Sequence, residues 1–223
     1  MTSKSNLIYP NLTSSIPTYS KQSSLVISVD LTDTHNLFDC ADKLGPRIAV
    51  FKTHINLVSD FGDDTVQGPK RLAEQHNFVI FEDCELIGIR NTVQKQYHGG
   101  SLRILEWAHI VNLSVLGGHG IVEAQTQTIK DPDFAYSDKR GFSILAEMTS
   151  KGSLAVGSYT EKCATQDKDF GIFTTEINMA TKSDRFRQQY QTQAATVRCD
   201  PVEAAKAYQK DGWDAYHERT KST

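Results

Sequence analysis

The chain has no long hydrophobic run. Its longest apolar stretches, such as Phe78 to Phe81, fall far short of the ~20 residues a membrane helix needs, so no membrane partner is expected. It has four cysteines in 223 residues, Cys40, Cys84, Cys163 and Cys199, widely spaced and without a CxxC pair. That spacing argues against a disulfide framework and a zinc site, and reduced thiols in the cytoplasm are expected. Positive charge is not in excess: 24 Lys and Arg stand against 27 Asp and Glu, for a net charge of −3. A sequence-blind nucleic-acid binder needs a basic face, so no nucleic-acid partner is expected. Met1–Ser24 is polar and Ser/Thr-rich, without the basic start and apolar core of a secretory signal. What is present, 39% hydrophobic and 23% charged residues, describes an ordinary globular chain. The expected organisation is a polar segment over 1–24 followed by a single domain over 25–223.

Strand and helix signals alternate. Leu25–Asp30 (LVISVD) reads as a buried strand. Leu37, Ala41 and Leu44 set a helix over Asn36–Leu44, stopped by Gly45-Pro46. Arg47–Lys52 is the second strand and Asp64–His76 the next helix, with Val66, Leu72 and Ala73 as core positions and Pro69 a kink or restart. Asn77–Asp83, Ile110–Val115, Phe142–Glu147 and Phe170–Thr174 supply four more strands. Helices are expected from Asn91, from Ile121 and over Pro201–Tyr216, where Val202, Ala205, Tyr208 and Trp213 form an apolar stripe; Thr126–Lys139 reads as a polar loop. Near-continuous apolar strands alternating with helices indicate an α/β fold on a parallel sheet. Asp30, Lys52, Asp83 and Glu147 recur at strand ends, and in (β/α) barrels the C-terminal strand ends carry the chemistry.

Seven segments then point to a family: SVD at 28–30, FKTH at 51–54, HNFVIFED at 76–83, NTVQKQY at 91–97, AEMTSKGSL at 146–154, RQQY at 187–190 and DPVEAAKAYQKDGWDAY at 200–216. In that order, from about Ser24 to the C-terminus, they resemble the orotidine 5′-phosphate decarboxylases, above all the fungal ones. The resemblance implies a TIM-barrel-like (β/α) fold, a homodimer, and cofactor-free decarboxylation of orotidine 5′-phosphate to uridine 5′-phosphate. The leaving carboxylate generates a carbanion on the pyrimidine. The family meets it with a lysine and two aspartates after the third strand and a second lysine after the second strand, joining electrostatic preorganisation to general acid chemistry. By this resemblance Lys52 is the second-strand lysine and Asp83 the first array acid. Asp30, His54, Thr92, Thr149, Gln188 and Tyr190 are the ligand-binding candidates; His54 either meets a ribose or orders Asp30.

The family pattern D-R-K-F-x-D-I-G-N-T reads here Asp83-Cys84-Glu85-Leu86-Ile87-Gly88-Ile89-Arg90-Asn91-Thr92. Glu85 stands in place of the array lysine and Gly88 in place of the second aspartate. Alternation along a strand puts 83 and 85 on one side. At ~4 Å and an effective dielectric of about 20, one such like-charge pair costs roughly 4 kcal/mol. Thr174-Thr175-Glu176 replaces the family's Thr-Pro-Gly turn, and the strand ending in the phosphate-binding Gly-Arg-Gly has no counterpart; Arg198 is not read as its substitute. About six strands are recognisable where eight are expected, so the barrel is incomplete or rearranged. The expectation is a family member inactive on orotidine 5′-phosphate, with catalytic-position residues Lys52, Asp83 and Glu85. The alternatives are a repurposed lyase, decarboxylase or cyclase acting on a non-phosphorylated small molecule, or a regulatory partner in a homodimer or a heterodimer with an intact paralogue. No metal or cofactor is expected; Asp30, Asp83 and Glu85 resemble a divalent-metal set, but Lys52 argues against it. Gly117-Gly118-His119-Gly120 reads as a plain loop rather than an anion cradle.

Overall fold

The computed structural model describes residues 18–130, 133, 140–148, 150–163, 173–175 and 200–221. They fall into two compact units whose boundary lies inside the third strand, after Phe81. The first holds the described residues 18–81 and 200–221; the second holds 82–163 and 173–175.

In the first unit, a short helix α1 (Thr18–Lys21) leads to β1 (Val26–Val29), α2 (Thr34–Leu44), β2 (Val50–Thr53), α3 (Asp63–His76) and the start of β3 (Val79–Leu86). The strands lie in the order β1-β2-β3, and β1 and β2 run parallel, with Ser28 opposite Lys52 and Val29 opposite Thr53. Asp33 caps α2 by accepting the Asn36 backbone N–H, and Leu37, Ala41 and Leu44 are buried, as their helical spacing predicts. Pro69 neither breaks nor restarts α3, which runs unbroken to an Asn77 cap in the left-handed conformation. Burial of Val66, Gly68, Pro69, Leu72 and Ala73 against the unit offsets the hydrogen bond that proline withholds. Phe51 and Phe78 meet in the core with ring centroids 5.7 Å apart.

β1 corrects the expectation of a buried strand. Val26 is 41% exposed and Ser28 is exposed, with only Val29 of the strand fully buried. Among the described residues β1 pairs on one side only, with β2. The last helix, α7 (Pro201–Lys221), is longer than predicted and belongs to this unit: Ala205 is buried and Gln209 donates to the Lys21 carbonyl at 2.9 Å.

The second unit continues β3 and adds α4 (Arg90–Gly99), a one-turn helix α5 (Ile104–Trp107), β4 (Ile110–Leu113), α6 (Gly120–Lys130), β5 (Gly141–Leu145), a helical turn at 158–163 and β6 (Phe173–Thr175). The strand order is β3-β4-β5-β6; β4 pairs with β5 and β5 with β6 in parallel. β5 is buried along its whole length, as a strand covered on both faces must be. Tyr97 of α4 packs edge-on to Phe142 of β5 at 5.4 Å. Residues 126–130, expected in a loop, complete α6: Thr126 and Thr128 are buried, and Thr128 accepts a hydrogen bond from Gln94 on α4. Tertiary burial here overrides a polar composition. β3 reaches three residues beyond the predicted end, and that extension carries Glu85.

Candidate functional site

The candidate residues sit where parallel β/α architecture puts chemistry, at and just past the C-terminal ends of strands. In the first unit, the β1–β2 register carries Asp30 and His54 past the last paired residues to the same level. His54 Nδ1 and Asp30 Oδ1 lie 2.8 Å apart. The loops behind them are fastened together. Ser59 donates to the Thr32 carbonyl through both its backbone N–H and its hydroxyl, each at 2.9 Å. Asp60 accepts the Thr34 backbone N–H and hydroxyl, each at 2.8 Å. His54 and Asp30 are thus hydrogen-bonding neighbours. Lys52, half-buried on β2, holds its ammonium 5.9 Å from the centroid of the Phe81 ring.

In the second unit Asp83 is 6% exposed on β3. Its carboxylate accepts a hydrogen bond from Asn112 Nδ2 on the neighbouring strand β4. Asn112 is itself 2% exposed, and its Oδ1 has no hydrogen-bond partner. Sequence reasoning missed Asn112. The signal was a single amide inside the apolar run Ile110–Leu113, where a buried polar side chain requires a partner.

Glu85 does not share the environment of Asp83, contrary to the alternation argument. It is exposed, and its backbone φ is +46°, a left-handed conformation uncommon for a residue with a side chain. That turn breaks the two-residue period before β3 ends. An exposed carboxylate is screened by water, so its repulsion on Asp83 falls from the roughly 4 kcal/mol of a half-buried pair to about 1 kcal/mol or less.

Beyond β3 the backbone closes on the loop after β4. Ser114 N–H donates to the Leu86 carbonyl at 3.0 Å. Gly88 has φ +150°, and a Cβ on Gly117 would lie 2.6 Å from the Gly88 carbonyl oxygen. Gly117 thus ends the turn after β4 with a close backbone approach, and Gly120 begins α6. Tyr159 donates to the Leu145 carbonyl at 2.8 Å, with its hydroxyl 3.3 Å from Ser114 Oγ, anchoring the helical turn at 158–163 to the end of β5. Thr92 is exposed in the first turn of α4. Thr149, Gln188 and Tyr190 lie outside the described residues, as do Glu176 and Arg198.

Burial pushes the Cys40 thiol up to about 11, and burial also raises Cys84 and Cys163 well above the usual thiol range, so none of the three is a ready nucleophile. Among the described residues no group of three or more His, Cys, Asp or Glu is placed to hold a metal ion, and no helix is long and apolar enough to cross a membrane. A cavity of about 490 Å³ beside α2 and α3, lined by Phe38, Gln67, Gly68 and Arg71 among others, contains none of the candidate residues.

Parallel strands alternating with helices, with acids, a lysine and a histidine at their C-terminal ends, define a TIM-barrel-like α/β protein of the kind that houses small-molecule enzymes. Among solved structures, the orotidine 5′-monophosphate decarboxylase of Methanocaldococcus jannaschii superposes with a TM-score of 0.53 at 17% identity, over 66% of this chain and 67% of that one. The chain belongs to the orotidine 5′-phosphate decarboxylase / HUMPS family, whose profile matches residues 23–181. It is 45% identical to the orotidine 5′-phosphate decarboxylase of Aspergillus oryzae over 273 aligned positions, covering 98% of this chain and 99% of the relative. The Aspergillus fumigatus enzyme matches equally, at 45% over 273 positions with 98% of each chain covered. The Passalora fulva enzyme is 46% identical over 239 positions, covering 88% of this chain and 86% of its own. An alignment of 273 positions against a chain of 223 residues leaves at least fifty positions of the Aspergillus oryzae relative without a counterpart here.

Proposed function

We propose that this chain is a member of the decarboxylase family that does not decarboxylate orotidine 5′-phosphate. The observation that carries the reading is Glu85 in the place where the family resemblance puts the array lysine. Expulsion of carbon dioxide leaves negative charge on a ring carbon, and the reaction needs a cation to stabilise it and a proton to quench it. A carboxylate at that position adds repulsion toward an anionic substrate. Gly88 in place of the second array aspartate, and the relative's positions that have no counterpart in this chain, support the same reading. Lys52 and Asp83 stand at the positions where the resemblance puts the second-strand lysine and the first array acid, without the lysine that would donate the proton.

The test is decarboxylation of orotidine 5′-phosphate by the purified chain beside the Aspergillus oryzae enzyme, with complementation of a uracil-requiring strain. No turnover and no growth are expected. Growth without uracil, or turnover within about a hundredfold of the relative, defeats the proposal.

A second reading is favoured by the Asp30–His54 pair, a histidine oriented by a carboxylate, which is an arrangement suited to proton transfer. On this reading the chain is a lyase, decarboxylase or cyclase acting on a non-phosphorylated small molecule. His54→Gln and Lys52→Ala should then each abolish the host's product; an unchanged product rules it out.

We further propose that the chain functions in pairs, with a second copy or with an intact paralogue. Ile87 and Ile89 after β3, Leu116 after β4, and Leu154 and Val156 after β5 are all exposed, Ile89 by 72% and Leu154 by 92%. Exposed apolar side chains concentrated on strand-end loops mark an association surface. Light scattering should give twice the chain mass, reduced to a monomer by Ile89→Glu with Leu154→Glu; a wild-type monomer that captures no paralogue refutes it.

A further inference from the structure

We infer that Asp60, Thr34 and Thr65 form a clasp that positions the Asp30–His54 pair. The paired backbone of β1 and β2 ends at Val29 and Thr53, one residue before each member of the pair. Beyond that point side chains join the two loops. The first rung is Asp30–His54 itself, at 2.8 Å. Two more come from adjacent residues: Ser59 onto the Thr32 carbonyl, and Asp60 onto the Thr34 backbone N–H and hydroxyl. The stretches between rungs are short. His54 reaches Ser59 through a single 3-10 turn, Ile55–Leu57, with Ile55 fully buried, and then through buried Val58. Only Leu31, Thr32 and Asp33 separate Asp30 from Thr34, the first residue of α2.

Each hydrogen bond of the clasp has a defined direction. A carboxylate only accepts, so the Thr34 hydroxyl donates to Asp60 Oδ1. Its proton is then committed, and in the 2.9 Å contact between Thr34 Oγ1 and Thr65 Oγ1 the donor is Thr65. Thr65 Oγ1 in turn accepts the Gly62 backbone N–H at 3.1 Å, at the start of α3. Thr34 and Thr65 are 9% and 1% exposed, so a hydroxyl deprived of its partner there is costly. Asp60 lies at the surface, yet it is the acceptor on which this order depends. The clasp ties the start of α2 to the start of α3, and the loops running back to Asp30 and His54 are left little freedom. A misplacement of about 1 Å is enough to spoil a proton-transfer geometry. The three residues are therefore positioning residues, acting on the pair through the loops. The inference rests on the second reading above only in taking Asp30–His54 as the working pair. Its test reads the pair directly and needs no product, so each can fail without the other.

The full chain is prepared with isotope-labelled histidine, and the His54 ring nitrogens are followed by NMR at one pH, below the unfolding temperature of every variant. His54→Gln identifies the signals, and Asp30→Ala gives their position with the pair broken. The hydrogen bond a histidine ring makes sets which nitrogen carries the proton, so these signals report the pair. Asp60→Ala should move them most of the way to the Asp30→Ala position. Asp60→Asn keeps an oxygen that accepts both Thr34 donors, so it should match the parent. Gly45→Ala, a packing change at the other end of α2, should lower Tm without moving them. Signals in Asp60→Ala that match the parent, or that move no further than in Gly45→Ala, overturn the inference. So does an Asp60→Asn spectrum equal to that of Asp60→Ala. Should Asp60→Ala fail to fold, Thr34→Val and Thr34→Ser decide: loss of the hydroxyl should move the signals and serine should retain them, and identical spectra refute the clasp.

Discussion

Replacing Gly88 tests whether the altered strand-end is held by backbone conformation as well as by charge. At φ +150° a residue with a Cβ pays for its backbone geometry, about 1–3 kcal/mol for such positions. Space is not the obstacle, because the nearest atom to a Cβ built there is Val93 Cγ2 at 3.6 Å, an ordinary contact. Gly→Ala also stiffens the unfolded chain, which returns about 0.4–1 kcal/mol. The net expectation for Gly88→Ala is a loss of about 1–2 kcal/mol. Gly88→Asp should lose a similar amount, since the left-handed helical region that aspartate tolerates lies at much smaller φ. Urea unfolding should show both midpoints falling with the slope unchanged. Gly117→Ala should also destabilise, because its Cβ would meet the Gly88 carbonyl, a backbone atom with little freedom to move. Consequently Glu85→Lys with Gly88→Asp should restore the two array residues in name without restoring decarboxylation of orotidine 5′-phosphate. Two results refute the reasoning: Gly88→Ala and Gly88→Asp as stable as the parent, or a double variant that turns over at rates comparable to the Aspergillus oryzae enzyme.

Three further outcomes follow from groups away from the strand ends. Burial lowers the Lys21 ammonium to about 8 from 10.5, while its Nζ donates to the Gly45 and Ile48 carbonyls at 2.6 and 2.8 Å. Between those two pH values the unfolded chain keeps a proton that the native chain has lost, so stability should rise with pH across that window. Lys21→Met should flatten the rise in urea midpoint; a wild-type profile already flat there shows that the two carbonyls outweigh burial. Gly45→Ala places a Cβ 2.7 Å from the His76 ring, which is itself held 2.7 Å from Asp42, so overpacking should cost about 1–3 kcal/mol in urea unfolding. A midpoint within experimental error of the parent would show that His76 swings away freely. Cys40, Cys84 and Cys163 should react with a thiol reagent far more slowly in the native than in the unfolded chain, as mapped by mass spectrometry, because only the thiolate attacks and burial disfavours it. Rapid native labelling of Cys84 would contradict the burial assigned to β3.

The strand-and-helix order was legible because hydrophobic periodicity is local. Leu37, Ala41 and Leu44 or the run Val79–Phe81 announce their element without reference to the rest of the chain. Errors arose where the deciding contact was distant. Nothing in LVISVD says that Val26 and Ser28 of β1 are exposed. Thr126 and Thr128 read as loop residues until α6 buries them against the second unit. Pro69 is tolerated because its helix packs along Val66, Leu72 and Ala73.

The candidate site divides the same way. Residue chemistry and family membership belong to the sequence: a motif holds its order whether or not the chain is folded, so the family resemblance and the identities of residues 83–92 are read without the fold. Only the fold determines which side chains meet. It pairs His54 with Asp30 and Asn112 with Asp83, and it turns Glu85 outward from Asp83. Those outcomes depend on strand register and on a left-handed φ. Both are set by packing between segments far apart in sequence, and no local pattern encodes them.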